Sequence, residues 1–198
     1  MQHLVIVRHA PTDANSNGIY MGHRDAPCSQ SGLVAAQALG ESLRLAEDCR
    51  LFTSPLIRSR CTLDAISSRR SRIVDVRLIE RSLGDWEGRS EADVKQEYPH
   101  AFAVRDTLDP LFTPPGGEDA EIFARRICDF LVDISEPKGQ STAVVVTHNG
   151  VIAVMRALIE QRSLRDCFAE IEPFLTPRTY VYDGSRLPAL LPRILEVL

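Results

Sequence analysis

Two short apolar runs, both rich in β-branched residues, limit most strongly what this chain can fold into. Residues 3–7 read His-Leu-Val-Ile-Val, and residues 142–147 read Thr-Ala-Val-Val-Val-Thr. Continuous apolar runs of this kind are typical of strands that are buried on both faces of a parallel sheet. The first run is followed by Arg8 and His9, and the second by His148. The pattern therefore predicts an α/β fold in which polar loops follow buried strands.

The sequence between these runs alternates strands with amphipathic helices. Apolar residues recur at helical spacing from residue 31 onwards, and a short strand is predicted at residues 51–53. A helix over residues 58–70 then leads to a third strand at residues 73–76. This alternation predicts a three-layer α/β/α sandwich around a mostly parallel sheet, because each crossover lays a helix on a sheet face. Further elements are predicted as helices at residues 118–135 and 151–161 and as a strand at residues 178–182.

Residues 77–116 interrupt the alternation. They include Gly-Asp-Trp-Glu-Gly at residues 84–88 and several prolines, and one short helix is predicted at residues 91–97. A long irregular segment inside a compact domain is commonly a functional loop or a lid. The chain of 198 residues is therefore expected to form a single domain, residues 1–198, with a lid-like insertion at roughly residues 81–117.

The composition argues against several classes of function. A formal net charge of −4 gives no general attraction for nucleic acid or anionic lipid, and no apolar run is long enough to span a bilayer. The five cysteines are scattered and form no Cys-x-x-Cys pair, so neither a disulfide scaffold nor a zinc ribbon is expected. No secretory signal pattern precedes the first strand. We therefore expect a cytoplasmic protein that binds neither nucleic acid nor membrane, with its oligomeric state left open.

Four basic or imidazole side chains fall where the strands of the predicted sheet end. Arg8 and His9 follow the first strand, Arg58 lies in the first turn of the helix after the second, and His148 follows the fourth. Ligands of an open parallel sheet bind at the carboxyl ends of its strands, so these side chains are expected to converge. Two guanidiniums can donate forked, charge-assisted hydrogen bonds to a phosphate. The sequence therefore predicts a site for a phosphate dianion.

Each of these residues alone has a more ordinary interpretation. An Arg-His pair at a strand end is more often part of a solvated loop, and a single helical arginine is more often a surface charge. A histidine after a valine run is often a satisfied structural residue. The coincidence at three strand ends favours the phosphate site. A helix that opens at Asn149-Gly150 would add backbone N–H donors.

Five segments resemble, in order, the motifs of one family. Residues 8–15 read Arg-His-Ala-Pro-Thr-Asp-Ala-Asn, similar to Arg-His-Gly-Glu-Thr-x-x-Asn, and residues 145–150 read Val-Val-Thr-His-Asn-Gly. The chain thus resembles the histidine phosphatase superfamily, the fold of cofactor-dependent phosphoglycerate mutase and its phosphatase relatives. Ala10 and Asn149 stand where the family usually has glycine, and Cys28 where it usually has leucine. The other similar segments are residues 25–32, 54–62 and 78–88.

The resemblance implies a covalent mechanism. His9 attacks the phosphorus of a monoester and becomes a phosphohistidine, which requires a neutral imidazole. Arg8, Arg58 and His148 stabilise the charge on the phosphoryl oxygens, so neither a metal nor another cofactor is expected. Glu80 matches the position of the family's acid and base.

The remaining assignments leave alternatives open. Glu87 and Asp85 are rival candidates for the acid and base. Asn15 and Gly22 match positions beside the bound ester, although both residue types are also common in turns. Asn149 is expected either to offer its backbone N–H to phosphate or to cap the helix.

We therefore expect a histidine acid phosphatase-type enzyme that hydrolyses a small phosphorylated metabolite without a metal. The compact insertion favours hydrolysis, because a mutase must exclude water from its phosphorylated intermediate. The alternatives are phosphoryl transfer of the phosphoglycerate mutase type and a phospho-ligand binding module without catalysis. No residue in the sequence identifies the substrate.

Overall fold

A five-stranded sheet with the strand order β3-β2-β4-β1-β5 forms the centre of the molecule. The computed structural model describes residues 1–67, 70–102, 107–135 and 142–196. Strands β1 to β4 run parallel, and β5 pairs antiparallel with β1. The predicted, mostly parallel sheet is confirmed. Its strands are β1 (Gln2–Arg8), β2 (Arg50–Thr53), β3 (Arg72–Val74), β4 (Ala143–Thr147) and β5 (Arg178–Tyr182).

The strand register brings three carboxyl ends together. Arg8, the last residue of β1, pairs with Thr147, the last residue of β4. Thr53, the last residue of β2, pairs with Val146 on the other side of β4. The residues that follow these strands therefore leave the sheet at one edge, as the sequence predicted.

Helices cover both faces of the sheet. They are α1 (Asp13–Ser16), α2 (Gln30–Ser42), α3 (Ile57–Ile66), α4 (Glu91–Glu97), α5 (Ala120–Ser135), α6 (Asn149–Glu160), α7 (Leu164–Ala169) and α8 (Leu187–Ile194). Leu4 and Ile6 of β1 lie in a cluster with residues of α5, α6 and α8, whereas Val7 packs with residues of α2 and α3. Successive strand residues point to opposite faces, so both layers are anchored on β1. The three-layer α/β/α sandwich is confirmed.

Two helices begin at other residues than predicted. α5 begins at Ala120, two residues later than predicted, because the Asp119 carboxylate accepts the backbone N–H of Glu121 at 2.8 Å. α6 begins two residues earlier than predicted, at Asn149, with His148 as its N-cap residue. The alternative that Asn149 caps this helix is therefore wrong.

Three helices lie where no helix was predicted. α1 lies in the polar segment predicted as loop, where Thr12 and Asn15 form a reciprocal capping box. α7 and α8 lie in the C-terminal part, where no helix was predicted. α3 ends at Ile66, and residues 68–69 of its predicted continuation lie outside the described residues. Among the described residues, no helix combines the length and apolar content needed to cross a membrane.

The insertion at residues 81–117 packs around an aromatic cluster. Trp86 is fully buried, and its ring centre lies 5.2 Å from that of Tyr98 and 5.6 Å from that of Phe112. Gly84 has a φ of +55°, and a Cβ there would lie 2.2 Å from the carbonyl oxygen of Pro115, so this turn requires glycine. The short helix predicted at residues 91–97 is α4. The described residues of the insertion therefore pack around Trp86.

Candidate active site

A pocket of about 200 Å³ opens at the edge of the sheet where β1 and β4 end. Seven of the eight site residues predicted from the sequence line it, and the eighth, His148, lies with its ring centre 5.2 Å from that of His9. The seven are Arg8, His9, Asn15, Gly22, Arg58, Glu80 and Asn149. The other lining residues are Ile19, Tyr20, Met21, Arg81, Leu83, Leu108, Gly150 and Phe168.

His9 is held as a neutral imidazole in one tautomer. Its Nδ1 lies 2.7 Å from the carbonyl oxygen of Ala10, which can only accept, so Nδ1 carries the proton and Nε2 the lone pair. Burial, assisted by the positive charges of Arg58 and Arg8, lowers the pKa of His9 to about 3. His9 therefore presents an unprotonated nitrogen at neutral pH.

Arg8 is a cation whose position depends on the C-terminal part of the chain. Its Nη1 donates to the carbonyl oxygen of Glu172 at 2.6 Å, and its Cζ lies 3.8 Å from the centre of the Phe174 ring. Burial lowers the pKa of Arg8 to about 10, against the opposing effect of the Glu80 and Glu172 carboxylates. The guanidinium therefore stays charged at neutral pH.

Arg58 is fixed by the turn at residues 22–24. Its Nη1 donates to the carbonyl oxygen of Arg24 at 2.8 Å, and its Nη2 donates to that of Gly22 at 2.9 Å. The residue is only 2% exposed, and burial lowers its pKa. Each terminal nitrogen carries two hydrogens, so each retains a second donor for an anion in the pocket.

The same turn also contacts Glu80 and Glu87. His23 Nε2 lies 2.8 Å from the carbonyl oxygen of Glu80, and the backbone N–H of His23 donates to Glu87 Oε1 at 2.9 Å. Gly22 has a φ of +48°, and a Cβ there would lie 2.2 Å from Glu87 Oε1. Glycine thus lets the turn reach Arg58 and Glu87 at once.

His148 is a fully buried imidazole with one unsatisfied nitrogen. Its Nε2 lies 2.7 Å from the hydroxyl of Ser54, which accepts the backbone N–H of Leu56 at 3.2 Å. The hydroxyl can in turn donate to Nε2, which leaves the imidazole proton on Nδ1; this nitrogen is buried and has no partner among the described residues. Burial lowers the pKa of His148 well below its ordinary value, with a further contribution from Arg58. An unpaired buried N–H beside His9 is suited to an oxygen of a bound anion.

Glu80 is the candidate acid or base that reaches the pocket. Its Oε1 accepts the backbone N–H of Arg81 at 2.9 Å, and its Oε2 accepts that of Gly150, in the first turn of α6, at 3.1 Å. Glu87 instead binds the backbone N–H groups of His23 and Leu83, and it does not line the pocket. The third candidate, Asp85, is exposed outside the pocket lining.

The two asparagines contribute in different ways. Asn15 Oδ1 accepts from the backbone N–H and the hydroxyl of Thr12, so its amide NH2 is the group that can bind an anion. Asn149 Oδ1 accepts the backbone N–H of Glu172 at 2.8 Å, which ties α6 to the C-terminal segment. The Asn149 side chain therefore connects the pocket lining to the C-terminal segment.

The comparison with protein families agrees with this geometry. The model of the histidine phosphatase superfamily (branch 1) matches residues 4–170. The chain belongs to this family. The histidine phosphatase is 31% identical over 156 residues to the adenosylcobalamin/alpha-ribazole phosphatase of Salmonella typhimurium, covering 78% of this chain and 77% of the relative. It is also 31% identical over 167 residues to the glucosyl-3-phosphoglycerate phosphatase of Mycobacterium tuberculosis, covering 79% and 74%.

Solved structures of other family members share the fold of this histidine phosphatase. YhfR of Bacillus stearothermophilus superposes with a TM-score of 0.83 at 26% identity, covering 93% of both chains. The mycobacterial glucosyl-3-phosphoglycerate phosphatase in complex with VO3 superposes with a TM-score of 0.79 at 26% identity, covering 90% of this chain and 92% of that one.

Three residues of the histidine phosphatase site were not singled out from the sequence. Ser54 opens one of the similar segments, so its place in that segment was an available signal. Glu172 and Phe174 lie in no such segment, and they reach Arg8 only because β5 returns beside β1.

Proposed function

We propose that this histidine phosphatase hydrolyses small phosphomonoesters through a phosphohistidine on His9, as a phosphatase of the histidine acid type. The observation that carries the proposal is the neutral, buried His9 beside two guanidiniums. Its Nδ1 is committed to the carbonyl oxygen of Ala10, so its Nε2 lone pair is available for attack. Arg8 and Arg58 line the same pocket.

The reaction proceeds in two balanced steps. Nε2 of His9 forms a bond to phosphorus as the ester P–O bond breaks, and the departing alkoxide takes a proton from the Glu80 carboxyl. Glu80, now a carboxylate, then accepts a proton from a water molecule that attacks the phosphohistidine. The P–N bond breaks, inorganic phosphate leaves, and both residues return to their starting states.

The charge on the phosphoryl oxygens is balanced by groups of the protein. Arg8 and Arg58 supply two positive charges, and the Nδ1–H of His148 supplies a further donor. Preorganised donors of this kind are the main source of catalysis in phosphoryl transfer, where the protein otherwise positions the reactants. We therefore propose that the reaction needs no divalent metal.

The names of the relatives favour hydrolysis over mutase chemistry, because the two relatives described above are both phosphatases. The size of the pocket favours a small substrate. At about 200 Å³ it is smaller than the roughly 300–1,000 Å³ of sites that enclose drug-sized ligands. The single domain and the cytoplasmic location stay predictions.

The part of the lining that would face the alcohol group is largely apolar. It consists of Ile19, Tyr20, Met21, Leu83, Leu108 and Phe168. Beyond Arg8 and Arg58, the cation among the described lining residues is Arg81, which is only 2% exposed. Its Nε, Nη1 and Nη2 donate to the carbonyl oxygens of Glu118, Pro110 and Phe112, respectively, at 2.7 to 2.9 Å. Because this side of the pocket is mostly apolar and its arginine is nearly buried, we infer that the preferred alcohol carries no second anionic group.

The test is phosphate release from a panel of phosphomonoesters in the presence of EDTA. We expect turnover by the wild type, a loss of at least about a thousandfold in His9→Gln, and wild-type rates in the exposed-histidine control His3→Gln. The wild type should also carry acid-labile, alkali-stable phosphate that His9→Gln lacks. Undiminished turnover by His9→Gln, or turnover that EDTA abolishes and added metal restores, would contradict the proposal.

A further inference from the structure

Residues 172–175, which we call the strap, contact Arg8 from three directions. The carbonyl oxygen of Glu172 accepts from Arg8 Nη1 at 2.6 Å. The ring of Phe174 lies over the guanidinium, 3.8 Å from Cζ to the ring centre. The backbone N–H of Leu175 donates to the carbonyl oxygen of Arg8 at 3.1 Å. The strap therefore holds both the main chain and the charged group of Arg8.

The strap is anchored by a buried carboxylate. The Glu172 side chain is 2% exposed and accepts from Arg178 Nε of β5 at 2.7 Å. It also lies 3.8 Å from Arg156 Nη1 of α6, and the Glu172 backbone N–H donates to Asn149. A buried carboxylate that lost its partners would be strongly disfavoured, so these contacts fix where the strap lies.

The backbone of the strap has an uncommon conformation. Leu175 has a φ of +55°, in the left-handed region that a branched side chain rarely adopts. Such a conformation persists only where the surrounding contacts enforce it, and these conformations concentrate at functional sites. The Phe174 ring centre lies 5.6 Å from that of His9, so the strained turn places an aromatic ring beside the proposed nucleophile.

We propose that Phe174 and Glu172 are positioning residues that fix the guanidinium of Arg8 for the phosphoryl group. This inference rests on the proposed function, in which Arg8 binds the phosphoryl oxygens. An arginine side chain is long and flexible, and immobilising it before the ligand arrives removes that entropic cost from binding. The Phe174 ring attracts the cation and covers one of its faces, and the Glu172 carbonyl fixes the rotation of its plane.

The first test distinguishes the effect of the aromatic ring of Phe174 from the effect of its apolar bulk. Phe174→Leu keeps an apolar side chain but loses the π-face, whereas Phe174→Tyr keeps the ring. We expect the dissociation constant for inorganic phosphate, measured by titration calorimetry, to rise about tenfold in the leucine variant and to stay within about twofold of wild type in the tyrosine variant. The value of kcat/KM should follow the same order. Equal phosphate affinity in the two variants, with both folded by circular dichroism, would overturn the role of Phe174.

The second test uses two carboxylates that share a partner. Glu170 and Glu172 both pair with Arg156, but Glu170 has a half-exposed side chain and does not contact Arg8. We expect Glu172→Gln to weaken phosphate binding about tenfold and Glu170→Gln to leave it within about twofold. Equal effects of the two substitutions would show that only the charge around Arg156 matters, and the anchoring role would fall.

The phosphate titration keeps this inference separate from the proposed function. Phosphate affinity is measured without turnover, so a protein that hydrolyses no ester can still show the expected order of variants. That result would support the positioning role of the strap and contradict the proposed hydrolysis. An active enzyme whose phosphate affinity is insensitive to Phe174 and Glu172 gives the opposite result.

Discussion

Glu80, Asp85 and Glu87 are three candidate carboxyl groups within one stretch of eight residues, and their contacts distinguish them. Glu87 binds the turn at residues 22–24 and the insertion, and Asp85 is exposed. Glu80 alone of the three lines the pocket, with the N–H of Gly150 on one of its oxygens. This arrangement suits a proton shuttle that faces the ester, whereas Glu87 has a structural set of contacts.

The effect of replacing Glu80 on the rate of hydrolysis should therefore depend on the ester. It should be largest for esters whose leaving group needs a proton. Glu80→Gln keeps the size of the side chain but cannot donate the proton. We expect kcat/KM for an alkyl phosphate to fall by about a hundredfold or more, and kcat/KM for 4-nitrophenyl phosphate to fall much less, because kcat/KM reports the step that releases the alcohol and nitrophenolate leaves unprotonated. Steady-state rates with the two esters measure this difference.

Glu87→Gln is the matched control for this experiment. Any loss it causes comes from a displaced turn and should be similar for the two esters. An equal fall in kcat/KM for both esters in Glu80→Gln would remove Glu80 from the role of acid. A leaving-group effect confined to Glu87→Gln would assign that role to Glu87 instead.

At the scale of elements, the sequence predicted those that are buried on both faces and missed those that depend on tertiary contacts. Strands β1 and β4 were predicted correctly because a strand enclosed by two helical layers needs apolar residues at every position. α8 carries Pro192 in its interior, which is an unfavourable signal for a helix, and it is stabilised by packing in the cluster that includes α5. α1 is a single capped turn within a polar segment, so it has no apolar period to detect.

The insertion contributes to the side of the pocket that would face the alcohol. It supplies Leu83 and Leu108, together with Arg81, whose side chain is 2% exposed and is held by three carbonyl oxygens. A carboxylate on the alcohol would lose its hydration against the apolar side chains, and the buried Arg81 offers it little accessible surface in return. The apolar side of the pocket should therefore discriminate against anionic alcohols.

A matched pair of esters tests this discrimination. We expect kcat/KM for butyl phosphate to exceed that for 4-(phosphonooxy)butanoate by about tenfold or more, because the chains match and only the second carries a terminal carboxylate. Leu108→Lys should lower the ratio of the two kcat/KM values, because it adds a positive charge to the pocket lining. Ile122→Lys, on the exposed face of α5, should leave this ratio unchanged. Wild-type enzyme that accepts both esters equally, or prefers the carboxylate, would contradict this prediction.

At the scale of the whole molecule, the neutral active-site histidines make the fold sensitive to acid. The pKa of His9 is about 3 in the folded chain and about 6.5 in an ordinary histidine, so the unfolded chain binds a proton between these values that the folded chain does not. The free energy of unfolding therefore falls as the pH drops below about 6.5, and this contribution levels off near pH 3. The lowered pKa of His148 acts in the same direction.

The substitution His9→Gln should remove the contribution of His9 to the pH dependence of the free energy of unfolding. Two pH units below 6.5 correspond to about 2.7 kcal/mol for one group that stays neutral on folding. Between pH 7.5 and 4.5, we therefore expect the wild type to lose about 2–3 kcal/mol more stability than His9→Gln, as measured by urea unfolding in phosphate-free buffer. Parallel pH dependences of the two proteins would mean that His9 titrates normally in the folded state.

The sequence predicted those residues of the candidate site that directly follow a strand or lie in a segment that resembles a family motif. His9, Arg58 and His148 meet because three parallel strands end at one edge, and the apolar runs alone indicate that edge. Phe174 could not be predicted in this way. It belongs to no similar segment, and its contact with Arg8 depends on an antiparallel edge strand and on a left-handed Leu175.

The turn at residues 22–24 should tolerate no insertion or deletion during evolution. One tripeptide carries the carbonyls that orient the phosphate-facing arginine and the imidazole that touches the main chain of the proposed acid. Side chains on the outer surface of the loop are free to change, but its length is not. Adding or deleting a single amino acid there would shift every one of these bonds by one position, so gaps in alignments of active descendants should avoid this tripeptide.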